Sequence, residues 1–216
     1  MIVTNDKERI RALLESTNRE GMDGLIGWLL TQGFFEAPAS TKFHGCYEGG
    51  LAKHSLGVYD HLLAMIKGMT LDAVDFNGQK PLEITKDTVI IAALLHDVCK
   101  VNQYLGTEKP YKWNGKNPEG HAKLSIARIK EHIELTDLEE MMIRYHMGIY
   151  GLVEYGEYHL LGDYTDCPFD KKTQKEERQK WGYGRSLRNA WYHNPIVKQM
   201  YFADERATLE EKALEV

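Results

Sequence analysis

The stretch VIIAALLHDVCK, residues Val89 to Lys100, decides how the chain folds. Its opening run is apolar without a break, and its Ala and Leu content favours a helix buried on all sides over a strand, despite Val89, Ile90 and Ile91. A helix is predicted from Thr88 to Val98, with His96 and Asp97 in its last turn. Two ionisable side chains at the edge of the most apolar segment need compensation, because burying either one without a partner costs several kcal/mol. A metal ion would supply it, and so would a plain hydrogen-bonded pair.

Working outward, LAKHSLGVYDHLLAMI carries Leu51, Val58, Leu62 and Met65 along one helical stripe, and His54 falls on the same stripe. On the other side, His121 opens the predicted helix HAKLSIARIKEHI. Thr136 with Glu139 forms a capping-box pattern that starts another, TDLEEMMIRYHM, on which His146 follows Met142 by one turn and Leu138 by two. Asn194 and Pro195 read as an N-cap and a first-turn proline. In the helix that follows, Val197, Met200, Tyr201, Asp204 and Thr208 share a face, which puts the Asp204 carboxylate on the buried side. DKERIRALLEST and MDGLIGWLLTQG predict two N-terminal helices. NQYLGTEKPYKWNGKNPEG predicts a small irregular hairpin, and Gly148 to about Tyr192 a long loop. The expected fold is all-α: a helical domain with a small hairpin and a long loop before the last helix.

A chain of 216 residues with 43% hydrophobic and 27% charged residues fits a single globular domain spanning 1–216. MIVTNDKERI carries charge where a signal peptide needs its apolar segment, and the apolar runs are too short to cross a bilayer, so a cytoplasmic location and no membrane partner are expected. Cys46, Cys99 and Cys167 are too widely spaced for a metal knuckle or a disulfide framework and read as thiols. A net charge of −5 argues against an extended nucleic-acid surface. The basic stretch KKTQKEERQKWGYGRSLR reads as a solvated loop or short helix, with a phosphate-contacting lid as the other reading.

Imidazole and carboxylate are the side chains that bind Mn, Fe, Co, Ni, Zn or Mg at neutral pH. His54, His96, Asp97 and Asp204 could supply one such ion, and His121 with His146 could complete a second site if Asp97 bridges the two. A single inward histidine is more often a hydrogen-bonded core residue. His44, His61, His132, His159 and His193 stay in that class, although the loop carrying His44 leads directly to His54.

The order His54, His96-Asp97, Asp204 resembles the metal-binding signature of the HD-domain superfamily of phosphohydrolases. EGGLAKHS is similar to the segment around that family's first histidine, ALLHDVCK to its namesake pair and YFADERAT to its closing aspartate. EGHAKLS and IRYHMG resemble the intermediate histidines of branches with a two-metal centre. The GYP signature of the cyclic-dinucleotide branch is not found, and Cys99 stands where many relatives have glycine. The resemblance covers about Phe34 to Leu209, with the N-terminal helices over residues 5–33 preceding it.

This resemblance implies hydrolysis of a phosphomonoester or phosphodiester of a nucleotide or oligonucleotide, with one or two divalent ions bound by His54, His96, Asp97, His121, His146 and Asp204. Asp97 would bridge the ions. Lys100 would neutralise a phosphate oxygen or serve as a helix-end cation, and Lys42 and His44 are candidates for phosphate contact. HD-fold di-iron oxygenases use a similar ligand set, so oxygen insertion is an alternative, and a noncatalytic nucleotide-binding module is another.

Overall fold

The computed structural model describes residues 2–41, 44–101, 103–105, 111–113, 121–148 and 185–214. The expected N-terminal helices are α1 (Ile2–Glu15) and α2 (Met22–Thr31), which bury Ile10 and Leu14 and then Leu25, Ile26 and Leu29. The apolar stripe around His54 becomes α3 (Gly50–Ile66). Gly49 precedes it with φ near +80°, and the backbone of Gly50 lies so close to Gly45 that a Cβ there would meet the Gly45 carbonyl oxygen at 2.0 Å. The loop carrying His44 is thereby folded against the start of α3.

The all-apolar segment forms α4 (Lys86–Leu95), with Thr85 as its N-cap accepting from the Thr88 amide at 3.1 Å. Every residue from Thr88 to Leu95 is buried, and packing on all sides outweighs the weak helix preference of the β-branched run. The helix ends earlier than expected. His96 is its C-cap, Asp97 has left the helical conformation (φ −109°, ψ 17°), and a single 3₁₀ turn over Val98–Lys100 follows.

α5 (His121–Lys130) and α6 (Asp137–Tyr145) follow, the latter opened by the expected capping box. Glu139 is fully buried and also receives the Arg19 guanidinium at 2.8 and 3.2 Å, which ties the α1–α2 connection to the start of α6. Of the loop expected from Gly148 to about Tyr192, residues 149–184 lie outside the described residues, and its last part is instead helical, α7 (Arg185–His193). Leu187, Ala190 and Trp191 form a short buried stripe there, masked in the sequence by the glycine-rich and basic residues just before it. α8 (Pro195–Leu214) starts at the expected proline. The Asn194 side chain, expected as an N-cap, instead accepts from the Val74 amide at 2.6 Å and reaches the Met141 sulfur at 3.6 Å.

α8 packs against α3 and α6, and α4 packs against the same two, so these four helices surround the region where His54, His96, His146 and Asp204 lie. Two antiparallel two-stranded ladders complete the described residues. One, β1 (Ala73–Val74) with β2 (Pro81–Leu82), had no counterpart in the sequence reading, although Asp75 closes its turn by accepting from the amides of Asn77 and Gln79. The other, β3 (Tyr104–Leu105) with β4 (Lys112–Trp113), is the expected hairpin. Among the described residues, no helix is long and apolar enough to cross a membrane.

Candidate metal centre

The two histidines at helix ends are built alike. At the end of α4, Nδ1 of His96 lies 2.9 Å from the Ala93 carbonyl oxygen; at the end of α6, Nδ1 of His146 lies 2.6 Å from that of Ile143. A helix C-terminus leaves such carbonyls without intrahelical partners, and each ring satisfies one three residues back. A carbonyl can only accept, so each Nδ1 carries a proton, and in the neutral ring the lone pair is on Nε2. Both Nε2 atoms face Asp97: His96 Nε2 lies 3.4 Å from Oδ2 and His146 Nε2 lies 3.6 Å from Oδ1. The rings meet edge to face, with centroids 4.7 Å apart.

His54 enters from α3 and Asp204 from α8. His54 Nε2 is 3.0 Å from Asp204 Oδ1, which is also 3.9 Å from His96 Nε2. On the other edge of the ring, His54 Nδ1 is 3.2 Å from Oε1 of Glu211. Sequence reasoning missed Glu211. It sits two turns after Asp204 on the same buried face, but its neighbours Glu210, Lys212 and Glu215 give that end of the helix the look of a solvated segment.

The electrostatics follow from this crowding. Burial disfavours charge on His54, but the bonds to Asp204 and Glu211 outweigh it and raise its pKa to about 9. Burial lowers that of His96, with Asp97 opposing only in part, whereas the bond to Asp97 more than offsets burial at His146 and raises it. For Asp97, burial is outweighed by Lys100, His96 and His146, which hold the carboxyl well below its usual range. Asp204 is held low against burial chiefly by His54.

Lys100 is no surface cation. It is buried, its Nζ lies 2.5 Å from Asp97 Oδ2, and the pull of Asp97 and Tyr104 raises its pKa against the effect of burial. The His44 ring lies tilted against that of His54, centroids 4.8 Å apart, and burial together with the nearby His54 and Lys100 charges lowers its pKa to about 3, leaving a neutral ring. Lys42 lies outside the described residues. His121 opens α5, with Nδ1 3.5 Å from the Cys99 sulfur and 3.3 Å from Gln103 Nε2. Its cluster partners are therefore Cys99 and Asp97, whereas His146 groups with His96 and Asp204.

Does this donor set fit a divalent cation? The Nε2 atom of His96 is buried and has no hydrogen-bond partner, although two carboxylates lie within 4 Å of it. Around an ion with bonds of about 2.1 Å, neighbouring donors lie about 3.0 Å apart at right angles and about 3.4 Å apart in a tetrahedron. The contacts here, from 3.0 to 3.9 Å, bracket that spacing. Donor atoms of His54, His96 and Asp97, and of His96, His146 and Asp204, lie within 4.8 Å of one another. The set fits.

The HD domain family matches residues 51–162, which is just over half of the chain and includes His54, His96, Asp97, His121 and His146. The chain belongs to the HD-domain family. A dihydroneopterin 2',3'-cyclic phosphate phosphodiesterase from Methanocaldococcus jannaschii is 38% identical to this HD-domain chain over 73 residues, which are 34% of the chain and 26% of that protein. The similarity thus spans about a quarter of that relative's length. No solved structure matches the chain.

Proposed function

We propose that this HD-domain protein is a metal-dependent phosphohydrolase that cleaves a phosphomonoester or phosphodiester of a small nucleotide-like substrate. The observation that carries the reading is the buried lone pair on His96 Nε2, without a hydrogen-bond partner and set between Asp97 and Asp204. Family membership supports it, as does the similarity to a relative named as a cyclic-phosphate phosphodiesterase.

His54, His96, Asp97, His146 and Asp204 would hold the ion, and Asp97, shared with the His121 cluster, would face a second one. Bound there, a divalent ion supplies an activated water and offsets the charge of a phosphate group. The chain's own residues do the rest. The protonated Nδ1 atoms of His96 and His146, anchored on Ala93 and Ile143, keep Nε2 turned inward. Lys100 offsets the charge of Asp97 and would place an ammonium where it can meet a phosphate oxygen in the centre. His44, neutral beside His54, can donate its ring N–H to a phosphate oxygen without adding charge, and Lys42 is assigned to the same task from its place in the sequence.

The test is metal analysis of protein purified without chelator, followed by a panel of phosphomonoesters, linear phosphodiesters and 2',3'-cyclic phosphates, in air and under anaerobic conditions. Metal-dependent phosphate ester cleavage that persists without dioxygen is expected. Turnover that requires dioxygen, or no cleavage by fully loaded protein, overturns the assignment.

A further inference from the structure

We propose that Cys99 is a metal ligand, and that with His121 and Asp97 it forms a thiolate-containing cation site adjoining the histidine-aspartate centre. The inference rests on the metal-dependent reading above and adds a donor of different chemistry to it.

The 3₁₀ turn that follows Asp97 is what brings the sulfur in. Over Val98–Lys100 the backbone turns immediately past the end of α4, and Cys99 is buried against the start of α5. Its backbone is held at both the amide and the carbonyl. The Cys99 amide donates to Ser125 Oγ at 3.1 Å, and Arg128 donates to the Cys99 carbonyl at 3.2 Å and to the Val101 carbonyl at 2.9 Å. Residues of α5 therefore hold the turn against the helix that carries His121, and the sulfur comes to lie 3.5 Å from His121 Nδ1.

That spacing suits shared coordination. With a metal–sulfur bond of about 2.3 Å and a metal–nitrogen bond of about 2.05 Å, the sulfur–nitrogen edge of a tetrahedron is about 3.6 Å. Donor atoms of Asp97, Cys99 and His121 all lie within 4.8 Å of one another. Gln103 borders the same cluster: its Nε2 is 3.3 Å from the same His121 nitrogen, and its own buried Oε1 has no hydrogen-bond partner. A thiolate would favour zinc, iron or cobalt over magnesium at this position, because hard cations gain little from sulfur.

Cobalt(II) is the probe, since a thiolate ligand gives a near-ultraviolet sulfur-to-cobalt charge-transfer band that imidazole and carboxylate do not. Protein stripped with chelator is titrated with cobalt(II), with bound metal measured by elemental analysis and folding by circular dichroism. The parent should show the band, Cys99→Ala should lose it while retaining cobalt at the histidine-aspartate centre, and Cys46→Ala should keep it. A parent that binds cobalt without the band overturns the proposal and leaves the histidine-aspartate centre intact. So does a band that survives in Cys99→Ala. A parent that binds no cobalt overturns both this site and the metal-dependent reading. Because the first of these readings is made on the parent, a misfolded variant does not protect the idea.

Discussion

The imidazole of His54 is held from both edges, by Asp204 at 3.0 Å on Nε2 and by Glu211 at 3.2 Å on Nδ1. Glu211 therefore does for His54 what a helix-end carbonyl does for His96 and His146, with a full negative charge in place of a carbonyl dipole. Glu211→Ala should lower divalent-metal affinity by about 10–100-fold, as loss of a partner behind a ligating histidine does elsewhere. Glu211→Gln keeps an acceptor for Nδ1–H and should retain most of the affinity. Calorimetric titration of the chelator-stripped variants with zinc checks this, and equal affinities for the two variants would remove Glu211 from the role.

Asp97 serves two histidines and Lys100 at once, so Asp97→Asn should disturb more than metal binding. Bound metal should fall sharply, and the fold should lose about 3 kcal/mol because the buried Lys100 ammonium loses the carboxylate it is paired with. Asp97→Asn combined with Lys100→Met should recover most of the stability and none of the metal. Denaturant unfolding of both variants in chelator, with metal content determined separately, tests the coupling.

Glu139 joins the capping box of α6 to Arg19 from the α1–α2 connection. Its replacement by Ala leaves Arg19 with only the Glu134 carbonyl and the Thr136 amide without its side-chain acceptor, which should cost about 2–3 kcal/mol. Thr136→Ala removes only the cap and should cost about 1 kcal/mol. Urea midpoints will show a larger loss for Glu139→Ala, and comparable losses would mean that the Arg19 pair contributes nothing beyond the cap.

Gly50→Ala would push a methyl group into the Gly45 carbonyl, backbone against backbone, where no flexible side chain can yield. The loop of residues 39–50 should lift away from α3, carrying His44 off His54. Faster amide exchange across that loop, with α4 and α6 still protected, is the expected signature.

The inward placement of His54, His146 and Asp204 was legible because they sit on apolar stripes with helical spacing, although Asp204 stays partly exposed at the edge of its stripe. Glu211 obeys the same spacing but is hidden among surface charges. The approach of Cys99 to His121 gave no signal, because it depends on the 3₁₀ turn and on bonds to Ser125 and Arg128, more than twenty residues away in sequence. The helix over Arg185–His193 was missed because its buried stripe is too short to stand out from its polar surroundings. Helix faces are local properties, whereas the meeting of α5 with the turn after α4 is a property of assembly.

His96 and His146 take their aim from carbonyls of their own helices, three residues back. Each donor is thus mounted on its helix end, and small slides of α4 against α6 would carry the rings as rigid attachments. The gap between donors would change while the lone pairs kept their inward direction. With an ion bound, residues deep in the α4–α6 contact would therefore set the radius that fits, and mutations there would retune cation choice without altering one coordinating atom.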